Sequence, residues 1–476
     1  MKKAAYTFLT ISLLTFASSC VKLVEDPEAF LTTQQFYKTQ ADAIAAVNGV
    51  YYTLNGSGQT LYNSLFQIGI DIASDEANPG PRARNADVRA FAVLSHSTTN
   101  DRVSEIWRQL YAGIARTNIA IDKIPAIAME EALKTRLINE TKFIRALYYF
   151  NLVRLYGGVP LILHEPTSLG NEAVQVSRNS AEEVYQQIIT DLKDAEGLPA
   201  TYSSTDVGRV TGGAAKALLA RVYLTKKDWN NAASKALEVI NGPYGYDLFS
   251  NYADVFNKAN NNGKEHIFSA QFKSNSNGHG NSLGSRGTPT GIPGIDGGDA
   301  DIPTTLIYNQ YRAGDTRKAA TFFTSLVSPT TGTAYTFTPH YKKYYDPSVN
   351  PSTGESGVNF PIIRFADVLL EYAEAVNEAS GPTTDAFAAF NRVRTRAGIP
   401  TLNSLSQSQF RDSIYQERRL EFVYEHQRWF DLVRTGTLIQ NLHAVGKTNA
   451  QQKHYLYPIP QREIDLNPKL TQNPGW

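Results

Sequence analysis

The chain has 476 residues, long enough for a large core, with 46 basic and 45 acidic side chains and a net charge of +1. This balance, without any block of like charge, gives no electrostatic reason to expect nucleic-acid binding. The only cysteine is Cys20, so an intrachain disulfide is excluded and the fold must depend on its core. The 26 tyrosines suit packing between helices or an exposed binding surface.

The first residues have a pattern typical of export. Two lysines precede an uncharged run from Ala4 to Phe16, then come small residues and Cys20. This predicts a signal peptide over residues 1–19, whose apolar run is too short to span a membrane. The cysteine resembles the lipobox of bacterial lipoproteins, although Ala17 stands where leucine is common. We expect Cys20 to be lipidated and residues 20–32 to form an extended tether; the alternative is a signal peptide that contains a cysteine by chance.

Apolar residues recur three and four positions apart in several segments, which predicts a mostly α-helical fold. The first predicted helices cover Gln40–Leu54, Arg102–Ile124, Glu140–Tyr156 and Ser180–Glu196. Ser180 and Glu183 have the spacing of a capping box, which predicts the start of the fourth helix. We expect Trp107 to lie in the core.

The segment Gly213–Ile240 resembles a tetratricopeptide hairpin, because small residues occur where two helices must approach. Ala366–Glu378 and Asp385–Ala397 form a second pair of this kind. Such hairpins bury their apolar faces by stacking, so they predict a scaffold.

The segment Lys273–Asp301 contains eight glycines and cannot remain helical. Long loops of this kind are often functional. Short β-strands are predicted beside it at Ile267–Phe272 and Tyr335–Thr338. Three loop aspartates (Asp296, Asp299 and Asp301) offer oxygen ligands for calcium, but they lack the spacing of an EF-hand.

Four motifs follow the export signal in order: Glu140–Phe150 with Gly158–Leu161; Arg209–Ala215; Arg364–Ala375 with Glu417–Phe422 and Arg428–Arg434; and Tyr457–Ile464 with Gln472–Trp476. Together they resemble the RagB/SusD family of Bacteroidetes outer-membrane lipoproteins. The resemblance implies a single body over residues 33–476, in which tetratricopeptide-like hairpins form a scaffold and an irregular part with minor β structure carries the ligand site. It also implies a lipid-anchored glycan-binding protein that faces the cell exterior and delivers oligosaccharides to a SusC-like TonB-dependent transporter.

Sugars stack their C–H faces on aromatic rings and direct their hydroxyls to Asp, Asn and Arg side chains. The irregular segments 71–101 and 273–345 combine these residue types, and in the family the ligand site is built from corresponding parts of the chain. The candidate ligand-binding residues are Asp75, Arg82, Asn100, Arg286, Tyr308, Tyr341, Tyr344 and Tyr345.

No motif indicates catalysis or a bound cofactor. The chain has no HExxH, phosphate-loop or nucleophile-elbow pattern, and its histidines are scattered, so we expect neither a metal nor an organic cofactor. The charged residues from Glu417 to Arg434 are interpreted as a structural ion-pair network, because opposite charges recur three residues apart. A glycan-binding protein without enzymatic activity is therefore the leading hypothesis. The alternatives are a glycoside hydrolase, although no motif singles out its carboxylate pair, and a non-binding helical-repeat scaffold.

Overall fold

The computed structural model describes residues 36–56, 58–168, 170, 174–203 and 205–476. The predicted signal peptide, Cys20 and the tether lie outside the described residues. Within the described part, no helix combines the length and the apolar character that crossing a bilayer requires.

The protein is mostly helical, as the sequence predicts. Among the described residues the α-helices are α1 (Gln40–Tyr52), α2 (Ala86–Ala92), α3 (Asp101–Lys123), α4 (Glu131–Tyr156), α5 (Ala181–Ala195), α6 (Gly212–Thr225), α7 (Trp229–Ile240), α8 (Leu283–Arg286), α9 (Thr305–Asn309), α10 (Arg317–Thr321), α11 (Phe365–Ser380), α12 (Thr384–Arg396), α13 (Gln407–Glu421), α14 (Arg428–Arg434), α15 (Leu438–Ala444) and α16 (Gln461–Leu466). Two π-helical turns, Leu61–Leu65 and Gln67–Ile72, connect α1 to the segment before α2.

The long helices stack in a series that forms the scaffold. Helix α3 packs on α4, α4 on α5, α5 on α6 and α6 on α7; α7 packs in turn on α11, which contacts α12 and α13. Both predicted hairpins, α6–α7 and α11–α12, are therefore confirmed. Close approach explains a small residue at the start of α6, because a Cβ atom on Gly213 would overlap the rings of Tyr244 and Tyr246.

The helix boundaries show where capping rules succeed and where periodicity fails. The capping box of Ser180 and Glu183 is present at the start of α5. Helix α4 begins at Glu131, nine residues before the predicted start, because the Glu130 carboxylate accepts hydrogen bonds from the first backbone N–H groups. Its first turns carry mostly polar side chains, so the apolar period does not reveal them.

Three small antiparallel sheets supply the minor β structure. The strands are β1 (Ala77–Pro79), β2 (His266–Ala270), β3 (Asp301–Pro303), β4 (Phe322–Val327), β5 (Ala334–Tyr341) and β6 (Phe360–Arg364). Strand β1 pairs with β3, β2 with β6, and β4 with β5. Both predicted strands are present: Tyr335–Thr338 lies within β5, and Ile267–Phe272 overlaps β2, which ends at Ala270. The β1–β3 pair places Asn78 opposite Ile302, and so joins the two irregular segments.

The charged motif near the chain end is buried in the scaffold. Arg364 forms ion pairs with Glu265 at 2.8 Å, Glu421 at 2.6 Å and Glu425 at 2.7 Å. Burial would raise the pKa of Asp431, but neighbouring arginines, chiefly Arg418, lower it to about 2. The interpretation as a structural ion-pair network is therefore confirmed.

The core contains the aromatic residue of α3 that the sequence placed there. Trp107 is buried, and its ring contacts Tyr111 and Tyr156 at centroid distances of 4.9 Å.

Candidate functional site

The two irregular segments form one continuous surface. Beyond the β1–β3 pair, Gly80 N donates to Ala300 O at 2.7 Å and Thr304 N donates to Glu76 O at 2.8 Å. The predicted juxtaposition of residues 71–101 with residues 273–345 is therefore present. We call this surface the loop face.

Two predicted ligand residues of the first segment have structural roles instead. Asp75 is fully buried, and both of its oxygens accept hydrogen bonds from Arg428, at 2.8 and 2.9 Å. Asn100 is buried as the N-cap of α3, where its Oδ1 accepts from Arg102 N at 2.9 Å and from Val103 N. Neither side chain is exposed enough to contact a sugar. An Asn directly before a helical period is an N-cap signal, so the role of Asn100 was readable from the sequence.

Two of the four candidate tyrosines are buried, and a third has a cation against its ring. Tyr341 and Tyr344 are each 1% exposed, and Tyr341 stacks on Tyr424 with centroids 4.1 Å apart. Tyr308 is partly exposed, but Lys318 Nζ lies 4.1 Å from the centre of its ring. Tyr341 Oη donates a hydrogen bond of 2.9 Å to the Glu76 carbonyl oxygen, and this buried contact links the two irregular segments. The buried rings of Tyr341 and Tyr344 thus support the loop face, and neither presents an exposed ring face on which a sugar could stack.

Tyr345 is the partly exposed candidate tyrosine that lines an open cleft, which the buried Tyr344 also borders. The cleft has a volume of about 130 Å³. The floor and rim comprise glycines, small polar residues and apolar residues, among them Ser285, Val327, Pro329, Pro347 and Val349. Phe323 supports the Tyr345 ring from one side, with a centroid distance of 5.7 Å. We call this space the Tyr345 cleft.

Two carboxylates line the Tyr345 cleft, and they differ in their free acceptor capacity. Asp346 accepts hydrogen bonds from the Ser348 backbone N at 2.9 Å and from Ser356 Oγ at 3.0 Å, and Lys258 Nζ lies 3.3 Å away. Asp296 accepts from Ser285 Oγ through Oδ2, while its Oδ1 has no hydrogen-bond partner within the described residues. Asp296 therefore keeps an oxygen available for a ligand hydroxyl.

The sequence names Asp296 as a possible oxygen ligand for calcium, but not among the candidate glycan-binding residues. The composition identifies the loop, but which of its three aspartates keeps a free oxygen depends on tertiary contacts. Asp299 pairs with His340 at 3.1 Å, and Asp301 accepts from Tyr424 Oη at 2.8 Å. Because the three aspartates engage different partners, they do not form one cation site. No group of three or more potential metal-binding side chains occurs in the described part of the chain.

The two predicted arginines lie on the loop face but outside the Tyr345 cleft. Arg82 is exposed, and its backbone N donates to Asp299 O at 3.3 Å. Arg286 is partly exposed, and its Nε donates to Ser282 Oγ at 3.1 Å. They can extend a ligand surface beyond the cleft, but they do not line its walls.

A second cleft adjoins the other side of Tyr345. It has a volume of about 440 Å³, and its lining includes Asn257, Lys258, Lys342 and Pro347. Tyr345, Asp346 and Pro347 border both spaces, and we call these three shared residues the ridge. The arrangement can contact a ligand longer than one sugar ring.

Comparison with known proteins identifies the family. A family model described as "SusD family" matches residues 324–476, and one described as "Starch-binding associating with outer membrane" matches residues 31–224. SusD-like protein P2 of Formosa agariphila is 33% identical over 100% of both chains. The starch-binding protein SusD of Bacteroides thetaiotaomicron is 24% identical over 82% of each chain. A solved structure described as a laminarin-binding SusD-like protein has 29% identity and a TM-score of 0.81, with 92% of this chain and 100% of that chain covered. The predicted resemblance is confirmed, and the chain belongs to the SusD family of starch- and glycan-binding proteins associated with the outer membrane.

Proposed function

We propose that this protein captures oligosaccharides at the Tyr345 cleft and delivers them to a SusC-like TonB-dependent transporter. The observation that carries the proposal is the pairing of a partly exposed ring with a free carboxylate oxygen in one cleft. The ring can stack on the apolar face of a sugar, while Asp296 Oδ1 can accept hydrogen bonds from its hydroxyls. The laminarin-binding relative supports a glycan as the ligand.

The proposal assigns binding without hydrolysis. A glycosidase needs two carboxyl groups about 5 to 10 Å apart, one acting as acid and the other as nucleophile or base. Of the two carboxylates in the Tyr345 cleft, Asp346 is occupied by serine donors and Lys258. Prolonged incubation with laminarin should therefore release no new reducing ends. Release that a single carboxylate substitution abolishes would favour the hydrolase instead.

Attachment to the outer membrane is proposed to run through lipidated Cys20. Stable anchoring takes more than one acyl chain, and a triacylated cysteine supplies enough buried methylene groups. Replacing Cys20→Ala should release the chain from the membrane fraction or leave its signal peptide uncleaved. Normal processing with unchanged membrane retention would contradict this assignment.

Isothermal titration calorimetry with laminarin oligosaccharides tests the binding proposal. The mature chain without its lipid should bind, and Tyr345→Ala should weaken binding. Tyr202→Ala provides a matched control, since Tyr202 is also partly exposed but borders a different pocket near the α6–α7 hairpin. Binding that persists in Tyr345→Ala and disappears in Tyr202→Ala would place the ligand in the pocket near the α6–α7 hairpin and contradict this proposal. Deleting the gene for this protein should lower oligosaccharide uptake in cells that retain a SusC-like transporter, and unchanged uptake would contradict the delivery step.

A further inference from the structure

We infer that the sugar unit seated in the Tyr345 cleft is uncharged, and that Asp296 excludes units bearing a carboxylate or a sulfate ester. This inference rests on the proposed glycan-binding function and adds the chemical class of the ligand at one subsite.

The first support is the charge of the lining. Asp296 and Asp346 line the cleft, whereas none of the described residues that line it is a lysine, arginine or histidine. The remaining lining consists of glycine, serine, proline, tyrosine and aliphatic residues. An anionic sugar unit would therefore find no cation there to replace its lost hydration.

The second support is the difference between the two carboxylates. The Lys258 ammonium group compensates the charge of Asp346. Asp296 has a neutral donor, Ser285 Oγ, and no ion-pair partner among the described residues. Its negative charge is therefore uncompensated within the cleft, where it attracts hydroxyl donors and repels anions.

The third support is that the nearby cations lie outside the Tyr345 cleft. Arg286 Nε donates to Ser282 Oγ, and Lys342 Nζ donates to the Ala319 carbonyl at 3.2 Å. Lys342 lines the second cleft and not the Tyr345 cleft. A longer glycan could place a charged unit in the second cleft, on the other side of the ridge. The exclusion of charged units therefore applies only to the sugar unit that contacts Tyr345 and Asp296.

The test compares two probes of equal length by calorimetry, a neutral gluco-oligosaccharide and its analogue in which every unit carries a uronic carboxylate. At low salt the wild-type protein should bind the anionic probe at least tenfold more weakly. The gap should narrow as salt rises, because screening weakens repulsion near the protein surface. If the Asp296 carboxylate causes the repulsion, Asp296→Asn should lower the ratio of the affinity for the neutral probe to that for the anionic probe at least fivefold. The amide still accepts hydrogen bonds but carries no charge.

A charge-matched control separates local repulsion from net charge. Asp412→Asn removes the same charge from an exposed position on α13, outside the Tyr345 cleft, and should leave the ratio unchanged. If the wild type binds the anionic probe as tightly as the neutral one, and Tyr345→Ala weakens both, the inference is overturned while the proposed function stands. If neither probe nor any laminarin oligosaccharide binds, the proposed function fails and the inference fails with it.

Discussion

The buried charged scaffold and the Tyr345 cleft use the same residue types in opposite ways. In the scaffold, Glu421 is buried and both of its carboxylate oxygens accept hydrogen bonds from arginines, namely Arg317, Arg364 and Arg396. In the cleft, Asp296 keeps one oxygen without a partner among the described residues. A ligand site is therefore indicated by unused acceptors and exposed ring faces, and residue type alone does not locate it.

The largest expected effect comes from breaking the scaffold network. Arg364→Ala would leave Glu265, Glu421 and Glu425 short of a buried cationic partner. Removing one member of a buried ion pair typically costs about 3 to 5 kcal/mol. Thermal unfolding should show a strongly lowered midpoint and poor yield. Arg108→Ala is the matched control, because Arg108 is 59% exposed in a surface pair with Glu105 and should cost less than about 1 kcal/mol. Equal melting of both variants would contradict the structural role of the network.

A second large effect should appear in acid. His96 is buried against Phe91, and burial lowers its pKa to about 3. The unfolded chain takes up this proton near its ordinary pKa of about 6.5, so the folded state loses stability as the pH falls from there towards 3. His96→Phe should remove a loss on the order of 3 kcal/mol between pH 7 and pH 4.

Denaturant unfolding at pH 7 and pH 4 measures this difference. The buried His266 and His454 also have pKa values lowered to about 4 by burial, so part of the acid sensitivity should remain in the variant. His164→Asn controls for the loss of an imidazole, because His164 is 80% exposed. If His96→Phe and His164→Asn change the acid sensitivity equally, the burial of His96 is not its cause.

The third effect compares neighbouring tyrosines. Tyr345→Ala should weaken glycan binding by roughly thirtyfold, since an aromatic anchor typically contributes about 2 kcal/mol and 1.4 kcal/mol is a factor of ten. Its melting temperature should change little, because the ring is partly exposed. Tyr341→Ala should do the reverse and lower the melting temperature strongly, because Tyr341 stacks on Tyr424 in the core and does not line the Tyr345 cleft. Both variants should be measured by calorimetry and by thermal melting. If Tyr345→Ala mainly lowers the melting temperature and the other variant mainly weakens glycan binding, the assignment of these two roles is wrong.

The smallest effect concerns the support of Asp296. Gly354 has a φ of +65°, and a Cβ atom there would overlap the Asp296 carboxylate. Gly354→Ala should cost about 1 kcal/mol for the backbone conformation and weaken glycan binding several-fold by displacing the carboxylate. Gly332→Ala is a suitable control, since its φ is +69° and a Cβ atom there meets nothing within 4 Å. Equal glycan affinity in the two variants would show that the position of the Asp296 carboxylate does not affect binding.

The sequence predicts the scaffold well because its signals are local. Periodicity locates the hairpins, and the capping box of Ser180 locates the start of α5. The choice among candidate site residues fails where burial depends on distant partners. Asp75 pairs with Arg428, more than 350 positions away, and Tyr341 stacks on Tyr424. The loop face itself was predictable from composition, whereas the selection of Tyr345 and Asp296 required tertiary contacts.

A crystal structure of the protein with a bound laminarin oligosaccharide would show directly whether the Tyr345 cleft binds glycans. We expect a sugar ring against the exposed face of Tyr345, with a hydroxyl within hydrogen-bond distance of Asp296 Oδ1. A ligand bound instead in the pocket lined by Tyr202 and Tyr244, beside the α6–α7 hairpin, with the Tyr345 cleft empty, would contradict it.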